Sequence, residues 1–109
     1  MDSKNIVDID QSDFDKKVVE ASEHKLIVVD FWAPWCGPCK QLTPIMEKIA
    51  KENPDGFNLV KVNIDNNKQI AAQLRIQSIP AVFAFKDKKV VNAFQGIISE
   101  KDFVDFIEK

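Results

Sequence analysis

The chain has 109 residues, a formal net charge of −2 and 45% hydrophobic residues. That composition suits one globular domain, burying about 65% of its unfolded-state surface and needing no disulfide or metal staple to fold. Interspersed Lys, Asp and Glu, with Arg75 as the only arginine, exclude a basic nucleic-acid surface, and no apolar run is long enough to span a bilayer.

Residues 1–5 carry no apolar signal region, so a cytoplasmic location is expected. Residues 5–9 read as a short edge strand. Ser12 followed by Asp15 has the look of a helix start, and Phe14, Val18 and Ala21 then recur on one helical face. Residues 26–32 are almost continuously apolar, the pattern of a parallel strand covered on both faces. Leu42, Ile45, Met46 and Ile49 give residues 41–51 an amphipathic helical spacing, and Pro44 is expected to kink that helix. Asn53-Pro54-Asp55-Gly56 is a turn before a buried strand over 57–64. Residues 67–74 fit a short helix with Ile70, Ala71 and Leu74 inward, and residues 81–86 and 89–94 flank Asp87-Lys88 as a hairpin. Ser99 opens a last helix, with Phe103, Phe106 and Ile107 inward and Asp102 placed to answer it in a capping box. The order βαβαβαββα predicts an α/β fold over 1–109, a single domain whose central mixed sheet carries helices on both faces. The chain stops directly after this helix at Lys109, which leaves a following domain open.

Cys36-Gly37-Pro38-Cys39 holds the only cysteines and lies between the strand at 26–32 and the helix at 41–51. There the first sulfur meets unpaired backbone N–H groups and the positive end of a helix dipole, which favour the thiolate. A thiolate is the nucleophile of thiol–disulfide exchange, and a second thiol one turn later can complete the exchange. Pro38 lacks an N–H at little cost in a first helical turn, and Gly37 allows a partner's close approach. A structural bridge or half a zinc site are the competing readings. Zinc needs about four ligands, and His24, in a polar loop, is the one other soft candidate. With no sign of secretion, redox exchange is preferred.

Asp30 is the second informative residue. A carboxylate among Val28, Val29, Phe31 and Trp32 is expected to be desolvated and its pKa raised, unless strand alternation turns it to solvent. Six residues before Cys36, it can lie beneath the dithiol and take the proton of Cys39. Trp35 is read as a contact residue beside the reactive sulfur, Trp32 as packing under the active-site loop.

Val28-Val29-Asp30-Phe31-Trp32-Ala33-Pro34-Trp35-Cys36-Gly37-Pro38-Cys39-Lys40 resembles the active-site segment of thioredoxins. Lys61-Val62-Asn63-Ile64-Asp65, Ser78-Ile79-Pro80 and Gln95-Gly96 are similar to the family's third central strand, cis-proline loop and late glycine, so the likeness spans essentially the whole chain. The resemblance implies a thioredoxin fold and a protein-disulfide reductase. It makes Cys36 the attacking thiolate and Cys39 the resolving thiol, with Asp30 as proton acceptor and Lys61 approaching and moderating that carboxylate. It makes the Ile79-Pro80 bond cis, and Trp35, Gly37, Pro38, Ile79, Pro80, Gly96 and Ile97 the surface that receives substrate. It further implies that no cofactor is bound, the redox group being the Cys36–Cys39 disulfide. The implied partners are protein disulfide substrates and a flavoprotein thioredoxin reductase as electron donor, served by a monomer in cell redox homeostasis and electron transport.

Three positions depart from the family pattern. Ser78 and Lys88 stand where glycine is common, and Phe94 to Ile97 are bulkier than usual around the late glycine. The segments Ser78–Val82 and Phe94–Gly96 are also similar to the thioredoxin domain of a bacterial co-chaperone with a tetratricopeptide tail. A client-holding, thiol-protecting binding module is therefore the alternative function.

Overall fold

The computed structural model describes residues 4–108. Five strands, β1 (Ile6–Asp8), β2 (Leu26–Trp32), β3 (Phe57–Asn63), β4 (Ala81–Lys86) and β5 (Lys89–Gln95), form one sheet in the order β1-β3-β2-β4-β5. The β1–β3 and β3–β2 pairs are parallel, and β4 and β5 are added antiparallel. The helices are α1 (Gly37–Glu52), α2 (Lys68–Gln73) and α3 (Glu100–Glu108), following a helical segment at residues 11–23. This is the mixed, two-sided α/β architecture expected, and β2 at its centre carries the residues that lead into the cysteine pair.

Strand alternation sorts β2 between two cores. Ile27, Val29 and Phe31 join Phe14, Val18 and Ile70 on one face, while Val28 joins Leu42, Met46, Phe103 and Phe106 on the other. Asp30 has the parity of Val28 and so faces α1, fully buried. On β3, Leu59 shares that face, and Lys61 stands directly beside Asp30 in the β2–β3 register.

The first helical segment differs from expectation. It runs as a 3-10 turn (Gln11–Asp13), a wide π-type stretch (Asp15–Glu20) and a second 3-10 turn (Ala21–Glu23), with no side-chain cap from Ser12. A π turn adds a residue per turn. Val18 is buried in the core along this stretch, and Val19 packs partly buried against the same cluster. The turn at 21–23 places Ser22 under the β4–β5 hairpin, where its carbonyl and Oγ accept from the N–H groups of Asp87 (2.9 Å) and Lys88 (2.8 Å). Asp87 and Lys88 take φ of 52° and 68°, the pair of left-handed residues of a type I′ turn, so Lys88 fixes the turn type without glycine.

Helix α1 begins at Gly37, four residues before the span expected over 41–51, and continues through Pro44. Ser99 Oγ accepts from Asp102 N–H at 3.1 Å, one half of the expected capping box. Phe94 turns its bulk into the core, edge-on to Phe106 at 4.8 Å, rather than crowding the late glycine.

Helix α2 closes in a Schellman motif: Arg75 N–H reaches Ala72 O, and Ile76 N–H reaches Ala71 O, both at 3.0 Å. Arg75 occupies the left-handed position at φ 56° with an exposed side chain. Glycine adopts that conformation without the Cβ penalty, partly offset by its extra unfolded-state freedom. Arg75→Gly is therefore expected to raise the urea midpoint, by about 0.5–1 kcal/mol of stability.

Candidate active site

Strand β2 ends at Trp32, and four residues later Cys36 is the N-cap of α1, which starts at Gly37. Cys36 and Cys39 are joined by a disulfide, their Cα atoms 5.3 Å apart. The Cys39 backbone N–H donates to Cys36 Sγ at 3.2 Å, one of the free donors of the first helical turn aimed at the sulfur. Both cysteines are nearly inaccessible, packed with Ala33 against Trp32, Ile64 and Ile79.

The surrounding rim is exposed. Trp35 is 67% accessible and Ile97 46%, and a Cβ added at Gly37 would meet nothing within 4 Å. The Ile79–Pro80 bond is cis, and Pro80 O accepts from Gly96 N–H at 2.9 Å, which ties the two loops together beside the disulfide. Gly96 has φ +80°, the conformation for which glycine is suited. The structure thus brings Trp35, Gly37, Pro38, Ile79, Pro80, Gly96 and Ile97 to the end of the fold that holds the cysteines. Ser78 Oγ donates to Gln95 Oε1 at 2.8 Å, adding a polar clasp across the two loops.

Asp30 is buried on the face of β2 that meets α1, with its pKa raised to about 6 from 3.8, chiefly by desolvation. A hydrogen bond from Thr43 (Oγ1 to Oδ2, 2.9 Å) and the charge of Lys61 oppose that rise. Lys61 makes its direct contacts elsewhere, with Glu47 at 2.9 Å and Asp8 at 3.9 Å. Burial pulls the Lys61 ammonium down, but the Glu47 hydrogen bond and the nearby carboxylates outweigh it and leave the pKa above its ordinary value. Its action on Asp30 is thus through space, with no hydrogen bond between them.

Thr43, Glu47 and Asp65 were not legible as site residues. Thr43 and Glu47 follow Cys39 at steps of four, on the same helical face, a spacing that signals proximity only once Asp30 is placed opposite. Asp65, just beyond β3, accepts from Trp35 Nε1 at 3.1 Å through both carboxylate oxygens and fixes the exposed indole. Trp32 packs under the loop as expected, its indole nitrogen buried without a hydrogen-bond partner among the described residues. His24 lies in the exposed loop before β2, and among the described residues no three His, Cys, Asp or Glu side chains gather as a metal cluster.

The comparisons with known proteins agree with this geometry. The family model described as Thioredoxin matches residues 5–109. The chain belongs to the thioredoxin family. It is 38% identical over 107 residues to the thioredoxin of Rickettsia felis, covering 98% of this chain and 97% of that one. It is 39% identical over 102 residues to the thioredoxin of Buchnera aphidicola, covering 94% and 92%. It is 38% identical over 96 residues to thioredoxin 1 of Synechococcus elongatus, covering 88% of each chain. With a Cys-X-X-Cys disulfide at the head of α1, this member of the thioredoxin family is a dithiol–disulfide oxidoreductase whose redox group is the Cys36–Cys39 disulfide itself.

Proposed function

We propose that the chain reduces disulfides in protein substrates, with Cys36 as nucleophile, Cys39 as resolving thiol and Asp30 as proton acceptor. The observation that carries this reading is the pairing of a helix-capped sulfur at Cys36 with a buried carboxylate on the strand facing the same helix. Seated on the rim of Trp35, Gly37, Pro38, Ile79, Pro80, Gly96 and Ile97, an extended substrate segment presents its disulfide to Cys36.

The Cys36 thiolate attacks one substrate sulfur. A bond forms between Cys36 Sγ and that sulfur, and the second substrate sulfur leaves as a thiolate that takes a proton from solvent. Asp30 then accepts the Cys39 proton, Lys61 moderating its charge. The Cys39 thiolate attacks Cys36 Sγ, closing the 36–39 disulfide and releasing the other substrate sulfur, which is protonated in turn. Two electrons pass to the substrate, and a flavoprotein thioredoxin reductase is the proposed source that restores the dithiol. The chain acts as a single domain over 1–109 and as a monomer, in the cytoplasm, within cell redox homeostasis and electron transport. No helix among the described residues is long and apolar enough to cross a membrane.

The relatives that bear the name thioredoxin are covered over 88–97% of their own length, which supports the reductase above the co-chaperone domain. The test is a coupled assay of NADPH, a bacterial flavoprotein thioredoxin reductase, this chain and a disulfide-bonded protein. NADPH consumption that requires both the chain and the substrate is expected. Consumption unchanged when the chain is omitted would contradict the reading.

A further inference from the structure

We propose that Thr43 is a positioning residue that keeps the buried Asp30 carboxylate in its proton-accepting, charged form. The inference deepens the reading above and rests on Asp30 as the acceptor of the Cys39 proton. Asp30 is fully buried, and its Oδ1 has no hydrogen-bond partner among the described residues. The bond from Thr43 Oγ1 to Oδ2, at 2.9 Å, is the one side-chain hydrogen bond the carboxylate receives among the described residues. A hydroxyl that donates to a carboxylate favours the charged form over the acid, and it does so more strongly where water is excluded.

The charges around Asp30 do not replace that donor. From β3, Lys61 is drawn to Glu47 of α1 at 2.9 Å and to Asp8 of β1 at 3.9 Å. Glu47 and Asp8 themselves act against ionisation of Asp30, so they offset part of what Lys61 contributes. On the other side the β4 neighbour of Asp30 is Val82, which carries no charge. Among the described residues, Thr43 is thus the one side chain whose hydrogen bond to Asp30 selects the carboxylate state.

Its position in the helix fits this work. Thr43 lies one turn after Cys39 on α1, so the same face presents the resolving sulfur and the hydroxyl. A threonine inside a helix commonly bonds back to the carbonyl four residues earlier, and here the hydroxyl is turned to Asp30 instead. Cys39, Thr43, Trp32 and Lys61 also line a cleft of about 290 Å³ that opens to solvent, so the residue that holds Asp30 shares one surface with the resolving cysteine.

The test is a direct titration of the Asp30 carboxyl carbon by NMR in the wild type, T43V, T43A and T43S. Loss of the donor in T43V, and equally in T43A, where no methyl is pressed against the carboxylate, is expected to raise the midpoint by about one pH unit. T43S keeps the hydroxyl and is expected to restore the wild-type midpoint, whereas a purely packing role would move stability and not this titration. A wild-type midpoint in both T43V and T43A would overturn the assignment. The rate at which Cys39 resolves a preformed mixed disulfide is measured on the same proteins. With the midpoint raised, that rate is expected to be about threefold slower at pH 6.5 and unchanged at pH 9. If the midpoint moves but the rate profile does not follow, Asp30 is not the base, while its control by Thr43 stands.

Discussion

Replacing Cys36 by serine is expected to lower the rate of protein-disulfide reduction by about a thousandfold or more, to the level of the assay without the chain. The serine hydroxyl is several pH units less acidic than a thiol, so the donated Cys39 N–H, 3.2 Å from Sγ in the native chain, has no anion to stabilise at neutral pH. Cys39→Ser is expected to abolish turnover as well, through a different step. Attack by Cys36 still occurs, resolution does not, and the chain accumulates as a mixed disulfide with its substrate. Non-reducing gel shift and mass spectrometry separate the outcomes: no adduct with Cys36→Ser, a stoichiometric adduct with Cys39→Ser. An adduct on Cys39 in the Cys36→Ser protein, formed at the wild-type rate, would reverse the assigned roles.

Asp30→Asn is expected to make the protein more stable and less active at neutral pH. The native carboxyl holds its proton up to about pH 6, whereas in the unfolded chain it ionises near 3.8. Between those values the native state binds more protons than the unfolded state, so this group's contribution to stability falls as pH rises and reaches its full penalty above about pH 6. That gap corresponds to about 3 kcal/mol. The near-isosteric amide avoids that penalty, and a stability gain of about 2–3 kcal/mol at pH 8, shrinking to about 0.5 kcal/mol at pH 4, is expected from urea unfolding. A gain independent of pH would mean that the amide packs better, and the carboxylate would then not be the strained charge it is taken to be. The same variant loses the acceptor for the Cys39 proton, and a fall in the resolution rate of about 10- to 100-fold at pH 7 is expected.

The proposed role of Asp30 as proton acceptor accounts for so costly a residue at the centre of the sheet, since the two expected effects run in opposite directions. A buried carboxylate weakens the fold, and its raised pKa makes it a competent base near neutrality. The alternation of β2 is enough to place it. Ile27, Val29 and Phe31 claim one core and Val28 the other, leaving Asp30 no direction except toward α1. For this reason Asp30 and the strand–helix junction of Cys36 were legible in the sequence, as was the sheet, whose strand spans shift by only a residue or two at their ends.

What was less legible depends on contacts between segments far apart in the chain. Thr43 looks like an ordinary helix residue until β2 supplies the carboxylate opposite. The Lys61 ammonium, expected to approach and moderate Asp30, lowers the Asp30 pKa through space, and its direct pairing with Glu47 at 2.9 Å was the part the sequence did not show. The first helix runs as 3-10 and π turns rather than as a regular helix, a difference that the recurrence of Phe14, Val18 and Ala21 on one face does not reveal. Phe94 looked too bulky for its loop, and the Phe103 and Phe106 rings of α3 provide the space.

The measurement that bears most directly on the reductase is the reduction potential of the Cys36–Cys39 pair, equilibrated against glutathione and read by thiol trapping. A value near about −270 mV, that of thioredoxins, is the expected result. A value at or above about −200 mV would contradict a disulfide reductant and favour exchange or client-holding duties.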